Sequence, residues 1–214
     1  MATNIYIDGF NLYYGALLGT QYKWLNLGEM CQQLLPKHQI NKIRYFTARV
    51  VSLPHDQQAP DRQDVYLRAL RTIPNLAIHY GRFSFRPRNA PRYPFVYHSP
   101  SAPPETVRIM KTEEKRSDVN LATLLLVDCF DGDFDEAVVI SNDSDLTLPI
   151  DIVGSKFKKR VGVINPHRNN RNSHELTSVA GWSFRRINRN VLAKCQFPVT
   201  LSDSKGTFRK PSKW

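Results

Sequence analysis

Apolar residues fall in short runs of strand length, and between these runs apolar positions recur with helical spacing. The runs predict strands near 4–8, 42–51, 76–82, 136–141 and 160–164, and the helical spacing predicts helices near 10–18, 26–35, 61–73, 118–130 and 145–156. Such alternation is expected of a three-layer α/β/α domain, Rossmann-like, whose central sheet of five strands is mainly parallel and carries helices on both faces. Gly9 and Asn11 punctuate the end of the first strand, Pro74 closes the third helix, and Ser117 is placed to cap the fourth.

One stretch breaks the alternation. Between Pro87 and Pro104 lie six prolines (Pro87, Pro91, Pro94, Pro100, Pro103 and Pro104), too many for a helix or a central strand. An excursion is therefore expected over about 83–110. In it Phe83, Phe85, Tyr93, Phe95 and Tyr97 interleave with Arg82, Arg86, Arg88 and Arg92. Aromatic rings stack on unpaired bases and guanidinium groups hold phosphates, so the composition suits single-stranded nucleic acid; an edge hairpin burying one aromatic face accounts for it equally well.

With 214 residues, 41% of them hydrophobic, the chain can build one sizeable domain. We expect that domain over 1–196 and a basic, flexible tail over 197–214. The apolar run Leu121–Val127 is broken by Thr123 and stopped by Asp128, far short of a membrane span. Cys31, Cys129 and Cys195 are odd in number and widely spaced, which disfavours disulfides or a zinc site. Without a basic, apolar leader at its start, the chain is expected in the cytoplasm. Its oligomeric state is left open, a homodimer included. The net charge is +11, unevenly spread: residues 1–155 hold 16 Lys/Arg and 17 Asp/Glu, net −1, whereas residues 156–214 hold 14 and 2, net +12. Such a basic quarter is either a solvated tail or a surface for phosphates. On the second reading the contacts include Lys156, Lys158, Lys159 and Arg160, together with Arg86, Arg88 and Arg92 of the excursion.

Against this positive charge stand four aspartates. Asp8 ends the first strand, Asp118 opens the helix at 118–130, and Asp143 and Asp145 follow the run Ala137–Ile140. Ligands of open α/β sheets bind at the carboxyl ends of the strands, where the strand order reverses. If the strands at 4–8 and 136–141 are neighbours, Asp8 and Asp143 arrive side by side. A helix leading into a parallel strand starts on that same edge, which brings Asp118 to them. Asp118, Asp143 and Asp145 could each be a helix cap, but Asp8 is not readily explained so. Clustered carboxylates repel one another, and Mg²⁺ or Mn²⁺ relieves the repulsion. Asp128, Asp131, Asp133, Asp135 and Glu136 are expected on the opposite edge as solvated surface. No Gly-x-x-x-x-Gly-Lys-Ser/Thr loop is present, and His167 and His174 have no partners at ligand spacing.

Three blocks, Ile5-Tyr6-Ile7-Asp8-Gly9-Phe10-Asn11-Leu12, Glu114-Lys115-Arg116-Ser117-Asp118-Val119 and Val139-Ile140-Ser141-Asn142-Asp143-Ser144-Asp145-Leu146, resemble the signature blocks of the NYN domain. That domain belongs to the PIN-like ribonuclease superfamily, and the bacterial LabA-like proteins are the branch most similar. The resemblance spans about residues 3–192. It implies a PIN-like fold, RNA cleavage and one or two Mg²⁺ or Mn²⁺ ions held by Asp8, Asp118 and Asp143, with Asp145 at an additional acidic position. Asn11 matches the polar residue that sets the first loop, Ser141 and Asn142 match small polar positions beside the metal pocket, and Lys115 matches a basic residue before the second acid. The family usually has glycine where this chain has Arg116, often Ser-Gly-Asp where it has Asn142, and an Ala-Asp pair where it has Ala180-Gly181. The reading is a metal-dependent endoribonuclease acting on single-stranded RNA. Its alternatives are an RNA-binding regulatory module of the same fold with little cleavage, and a small-molecule phosphohydrolase.

Overall fold

The computed structural model describes residues 1–94, 104–167, 172–184 and 187–214. Phe95, Tyr97, Pro100 and Pro103 of the excursion lie outside these residues. The chain runs through β1 (Ala2–Asp8), α1 (Gly9–Leu12), a π-helical turn (Tyr13–Leu17), α2 (Leu27–Leu34), β2 (Gln39–Thr47), α3 (Ala59–Leu70) and β3 (Leu76–Tyr80). A ribbon of β4 (Arg82–Pro91) and β5 (Thr106–Lys115) follows. Then come α4 (Ser117–Phe130), β6 (Glu136–Ile140), a 3₁₀ turn (Ser144–Leu146), α5 (Thr147–Ser155), β7 (Arg160–Ile164), α6 (His174–Val179), β8 (Trp182–Phe184) and α7 (Arg189–Lys194). The hairpin β9 (Thr200–Asp203) and β10 (Gly206–Arg209) completes the order.

The main sheet is parallel throughout, in the order β3-β2-β1-β6-β7-β8. It has six strands rather than the five expected. The sixth, β8, is three residues long and leaves no apolar run to read; it docks because the Trp182 ring occupies the space above Gly162, where a Cβ would lie 2.0 Å from the ring. Alternate residues of each strand enter opposite cores, as pleating requires. Ile5, Ile7, Ile43, Val138 and Ile140 pack with residues of α2, α3 and α7. Tyr6, Phe46, Val139, Val161 and Val163 pack with α4, α5 and α6. Two buried layers of this kind make the three-layer α/β/α architecture.

Two expectations are corrected. Residues 197–214 are not a flexible tail: β9 and β10 pair, Phe208 is buried, and Arg68 holds Asp203 through two bonds of 2.7 and 2.6 Å while lying 4.2 Å above the Phe208 ring. Trp24 also donates to the Pro198 carbonyl at 2.9 Å. Apolar residues spaced two apart in a four-residue strand give too weak a period to stand out from a basic background.

The acidic turn does lie on the amino edge of the sheet, and Asp131 and Asp135 are exposed there as expected, but Asp128 and Glu136 are buried and Asp133 is half-buried. Asp128 is buried; it accepts from Arg44 Nε and Nη2 and from the Tyr6 hydroxyl, each at 2.6 Å. Asp133 takes Lys42 and the Asn4 amide, Asp135 takes the Ala2 amide, and Glu136 takes His38 and the Trp182 indole. The cations and donors that satisfy these acids come from β1, β2 and β8, distant in sequence. Removing one partner of the Arg44–Asp128 pair leaves a buried charge without compensation. Arg44→Met is therefore expected to lower unfolding free energy by about 3 kcal/mol in urea titrations, with the transition remaining cooperative.

Candidate active site

The strand order reverses between β1 and β6, whose Cα register runs from Thr3 opposite Glu136 to Ile7 opposite Ile140. Asp8 and Ser141 therefore leave the sheet side by side, where α/β sheets open a crevice. Asp8 is 4% exposed. Its Oδ1 accepts the Asn11 amide at 2.9 Å, and its Oδ2 accepts the Ser141 hydroxyl at 3.0 Å. Asp8 is thus a helix cap after all, a role its place behind an apolar strand had seemed to exclude, and α1 is so short that only this bond marks it. Burial raises the Asp8 carboxyl above the usual range, and the charge of Asp143 adds to the shift. The next residue has to be glycine: a Cβ on Gly9 would lie 2.6 Å from the Phe46 carbonyl and 2.8 Å from the Tyr45 ring.

Asp118 stands at the start of α4 and faces the same crevice. Burial, and then the negative charges of Asp8, Glu114, Asp143 and Asp145, push it up to about 7. All four lie near enough to act on this one carboxyl. Glu114, which spacing did not single out, is the fifth member. Its carboxyl is likewise raised, by burial first and by Asp8 and Asp143 among the charges, against the lowering effect of Ser117, and its Oε1 is buried without a hydrogen-bond partner among the described residues. It stands four residues before Asp118, at the foot of β5, so only knowledge of where the strand ends could have placed it. Asp143 accepts the Asp145 amide at 3.1 Å and caps the 3₁₀ turn, while Asp145 is exposed.

The helix start differs from the expected one. Arg116 occupies the capping position with no side-chain bond, in the left-handed region at φ 79°, and Ser117 is the first helical residue. The glycine usual in the family would take this backbone without strain.

None of Asp8, Glu114, Asp118, Asp143 and Asp145 forms an ion pair among the described residues. Carboxylates without a cationic partner, three of them (Asp8, Glu114 and Asp118) with raised proton affinity, are a donor set suited by charge and hardness to Mg²⁺ or Mn²⁺. Among the described residues, no three His, Cys, Asp or Glu side chains are gathered closely enough to hold an ion as they stand.

The polar neighbours form a frame around these acids. Asn11 Oδ1 accepts the Asn142 amide at 3.0 Å and meets His167 Nε2 at 3.0 Å. Asn142 Oδ1 in turn accepts the Ser173 amide at 2.8 Å, a bond that glycine at this position could not make. His167 is thus a structural partner of the first loop. Lys115 turns away from the acids and pairs with Glu113 at 3.3 Å.

The excursion is an antiparallel ribbon forming a sheet of its own. Its interleaved arginines and aromatics sort onto opposite faces, as a period of two demands. Arg82, Arg86 and Arg88 share one face with their partners Lys115, Lys111 and Ile109. Phe83 and Phe85 share the other with Glu114 and Thr112. At the foot of that face Phe83 stacks on Phe10, ring centres 6.0 Å apart and 13° from parallel. Arg92 pairs with Glu105 near the far end. Lys156, Lys158, Lys159 and Arg160 sit instead at the end of α5 and the beginning of β7, on the edge opposite the acids. Lys159 donates to the Phe134 carbonyl at 2.6 Å, and Arg160 lies 3.9 Å from Glu136.

Residues 2–188 match the NYN domain. The chain belongs to the NYN-domain family. That match covers the three blocks, the parallel sheet and the ribbon, and it places the chain in the PIN-like superfamily. A relative from Pseudomonas putida strain S16, named 6-hydroxy-3-succinoylpyridine 3-monooxygenase HspA, is 32% identical over 241 residues, covering all of this chain and 75% of that protein. The crystal structure of VPA0982, a protein of unknown function from Vibrio parahaemolyticus, superposes with a TM-score of 0.54 over 85% of this chain and 90% of its own at 14% identity, a likeness of fold.

Because the fold raises the Asp118 carboxyl from 3.8 to about 7, the folded state binds an extra proton between those values, so its stability falls as pH rises through that window. Asp118→Asn is expected to raise Tm by about 2–4 °C at pH 8 in EDTA, with a smaller gain near pH 5. Saturating Mn²⁺ should raise the Tm of the native protein and leave Asp118→Asn nearly unmoved.

Proposed function

We propose that this NYN protein is a metal-dependent endoribonuclease acting on single-stranded RNA in the cytoplasm, with its nearest functional kin in the LabA-like branch. The supporting observation is the cluster of five acids at the reversal of strand order, uncompensated by any cation among the described residues, beside a ribbon with one strongly basic face. Asp8, Asp118 and Asp143 would hold Mg²⁺ or Mn²⁺, with Asp145 and Glu114 beside them. Such an ion, when bound, lowers the pKa of water for attack on a phosphodiester and neutralises charge on the leaving oxygen.

The protein's own residues orient the reaction. Asp8 is fixed at both oxygens, by the Asn11 amide and the Ser141 hydroxyl, so it meets a ligand with little loss of freedom. Without an ion, burial and the neighbouring acids favour a protonated Asp118 below about pH 7, and a cation has to displace that proton, so Mn²⁺ affinity is expected to rise with pH. Arg82, Arg86, Arg88 and Lys111 offer the strand's phosphates a line of positive charge along one face of the ribbon.

A second reading follows the named activity of the Pseudomonas relative, chemistry on a hydroxylated pyridine that bears an acid chain. The aromatic residues Phe10, Tyr14 and Phe83 directly behind Asp8 favour it.

The two readings separate in one set of assays. With Mn²⁺ or Mg²⁺ the native protein should cleave single-stranded RNA, and Asp8→Asn or Asp143→Asn should reduce the rate at least ~100-fold. The triple change Arg82→Gln, Arg86→Gln, Arg88→Gln should weaken RNA binding and reduce the salt slope by about 2. RNA binding without turnover would support the regulatory alternative. Turnover of 6-hydroxy-3-succinoylpyridine with RNA left intact would replace the ribonuclease reading by the second.

A further inference from the structure

A cavity of about 650 Å³ opens immediately behind Asp8, between the first loop, the loop after β2, α3 and the C-terminal segment. Its walls are largely rings: Phe10, Tyr13, Tyr14, Tyr66, Phe83 and Trp214 all line it. They brace one another. Phe10 is stacked between Tyr14 at 6.3 Å and Phe83 at 6.0 Å, Tyr13 meets Tyr14 edge-on, and Tyr66 meets Trp214 edge-on at 5.5 Å. A wall of fixed ring faces and edges suits a flat aromatic guest, which gains contact area at little entropic cost to the protein.

Charge in the cavity is of one kind on balance. Among the described residues, Lys23, Arg62 and Lys213 line it against the single carboxylate of Asp56. Arg62 pairs with Asp56 through Nη2, and its side chain is only 12% exposed. Its Nη1 is buried and has no hydrogen-bond partner among the described residues. An unmade bond on a buried guanidinium is costly, and the fork of an arginine is shaped to take a planar anion. Tyr13 and Arg62 both line the cavity, so it offers a ring and a cation together.

We propose that this cavity binds a small aromatic acid, a single or fused ring carrying a carboxylate, with the ring between the tyrosines and phenylalanines and the anion at the Arg62 guanidinium, supported by Lys213. The volume exceeds what one bare ring fills and leaves room for a short acid chain. The proposal deepens the second reading above and is independent of the ribonuclease reading. It concerns binding, and the same protein preparation assayed on RNA keeps the two failures apart.

The test is titration by calorimetry and by tryptophan fluorescence, since Trp214 lines the cavity. Nicotinate and 4-hydroxyphenylacetate should bind saturably, with Kd in the range of about 10–500 μM. Pyridine-3-methanol, a ring without the anion, and succinate, an anion without the ring, should each bind at least ~10-fold more weakly. Arg62→Met should weaken nicotinate at least ~10-fold and Arg62→Lys should restore part of the loss. Val51→Trp, which fills the cavity from its wall, should abolish binding; thermal melts of all variants check that they are folded. Absence of saturable binding by either acid at ~10 mM, or equal binding by a folded Arg62→Met, overturns the proposal. Uridine 5′-monophosphate is the competing arm: if it displaces nicotinate and binds ~10-fold tighter, the cavity is a nucleotide subsite and the free acid is not its ligand.

Discussion

β1 lies at the centre of the sheet with a parallel neighbour on each side, and the chain leaves it toward β2 while the later strands build outward from β6 in the other direction. No connection can cross the gap left between these two departures. Whatever side chain ends β1 is therefore delivered to a crevice floor, flanked by strands and roofed by helices. Here that residue is aspartate, almost wholly buried, and much of the surrounding structure serves its position. Ser141 on the neighbouring strand and the Asn11 amide hold it, Gly9 lets β2 approach, and Asn11 in turn ties down Asn142 and His167. Burial makes its charge expensive, and the charge of Asp143 increases that expense.

This dependence explains what could be read from the residues and what could not. Asp8 and Asp143 were legible because sheet topology needs only apolar runs and their order. The β1–β6 pairing followed from the same logic. Asp118 was legible as a helix start, but its backbone was not: Arg116 in a left-handed conformation is a cost that only three-dimensional context imposes. Glu114 was hidden because its burial depends on the foot of the ribbon meeting α4. The acidic turn was misread for the opposite reason, its partners Arg44, Lys42 and His38 being brought from other strands by pairing that local spacing does not report. Similarly, β8 and the β9–β10 hairpin are too short for periodicity and are held by single large contacts, Trp182 on Gly162 and Arg68 on Asp203 and Phe208.

Positive charge shows the same gap between chain and space. Counted along the sequence, it concentrates in the last quarter. In the fold, Lys159 and Arg160 are engaged at the amino edge, far from the carboxylates, whereas the nearly neutral first part supplies the basic face of the ribbon. The charges nearest the acids are thus the ones a running total cancels against those same acids. Phe10 and Phe83 stand at the junction, with the ribbon on one side and the aromatic cavity on the other.

Among the described residues the ribbon's two strands pair only with each other, so each has an outer edge that could recruit another strand. Pro87 and Pro91 withhold backbone donors from β4, and the arginines between and before them place like charges along it. The residues that make this arm look like a nucleic-acid surface therefore also guard it against adding a third strand from a second copy, which lets an extended hairpin project into solvent without seeding aggregation.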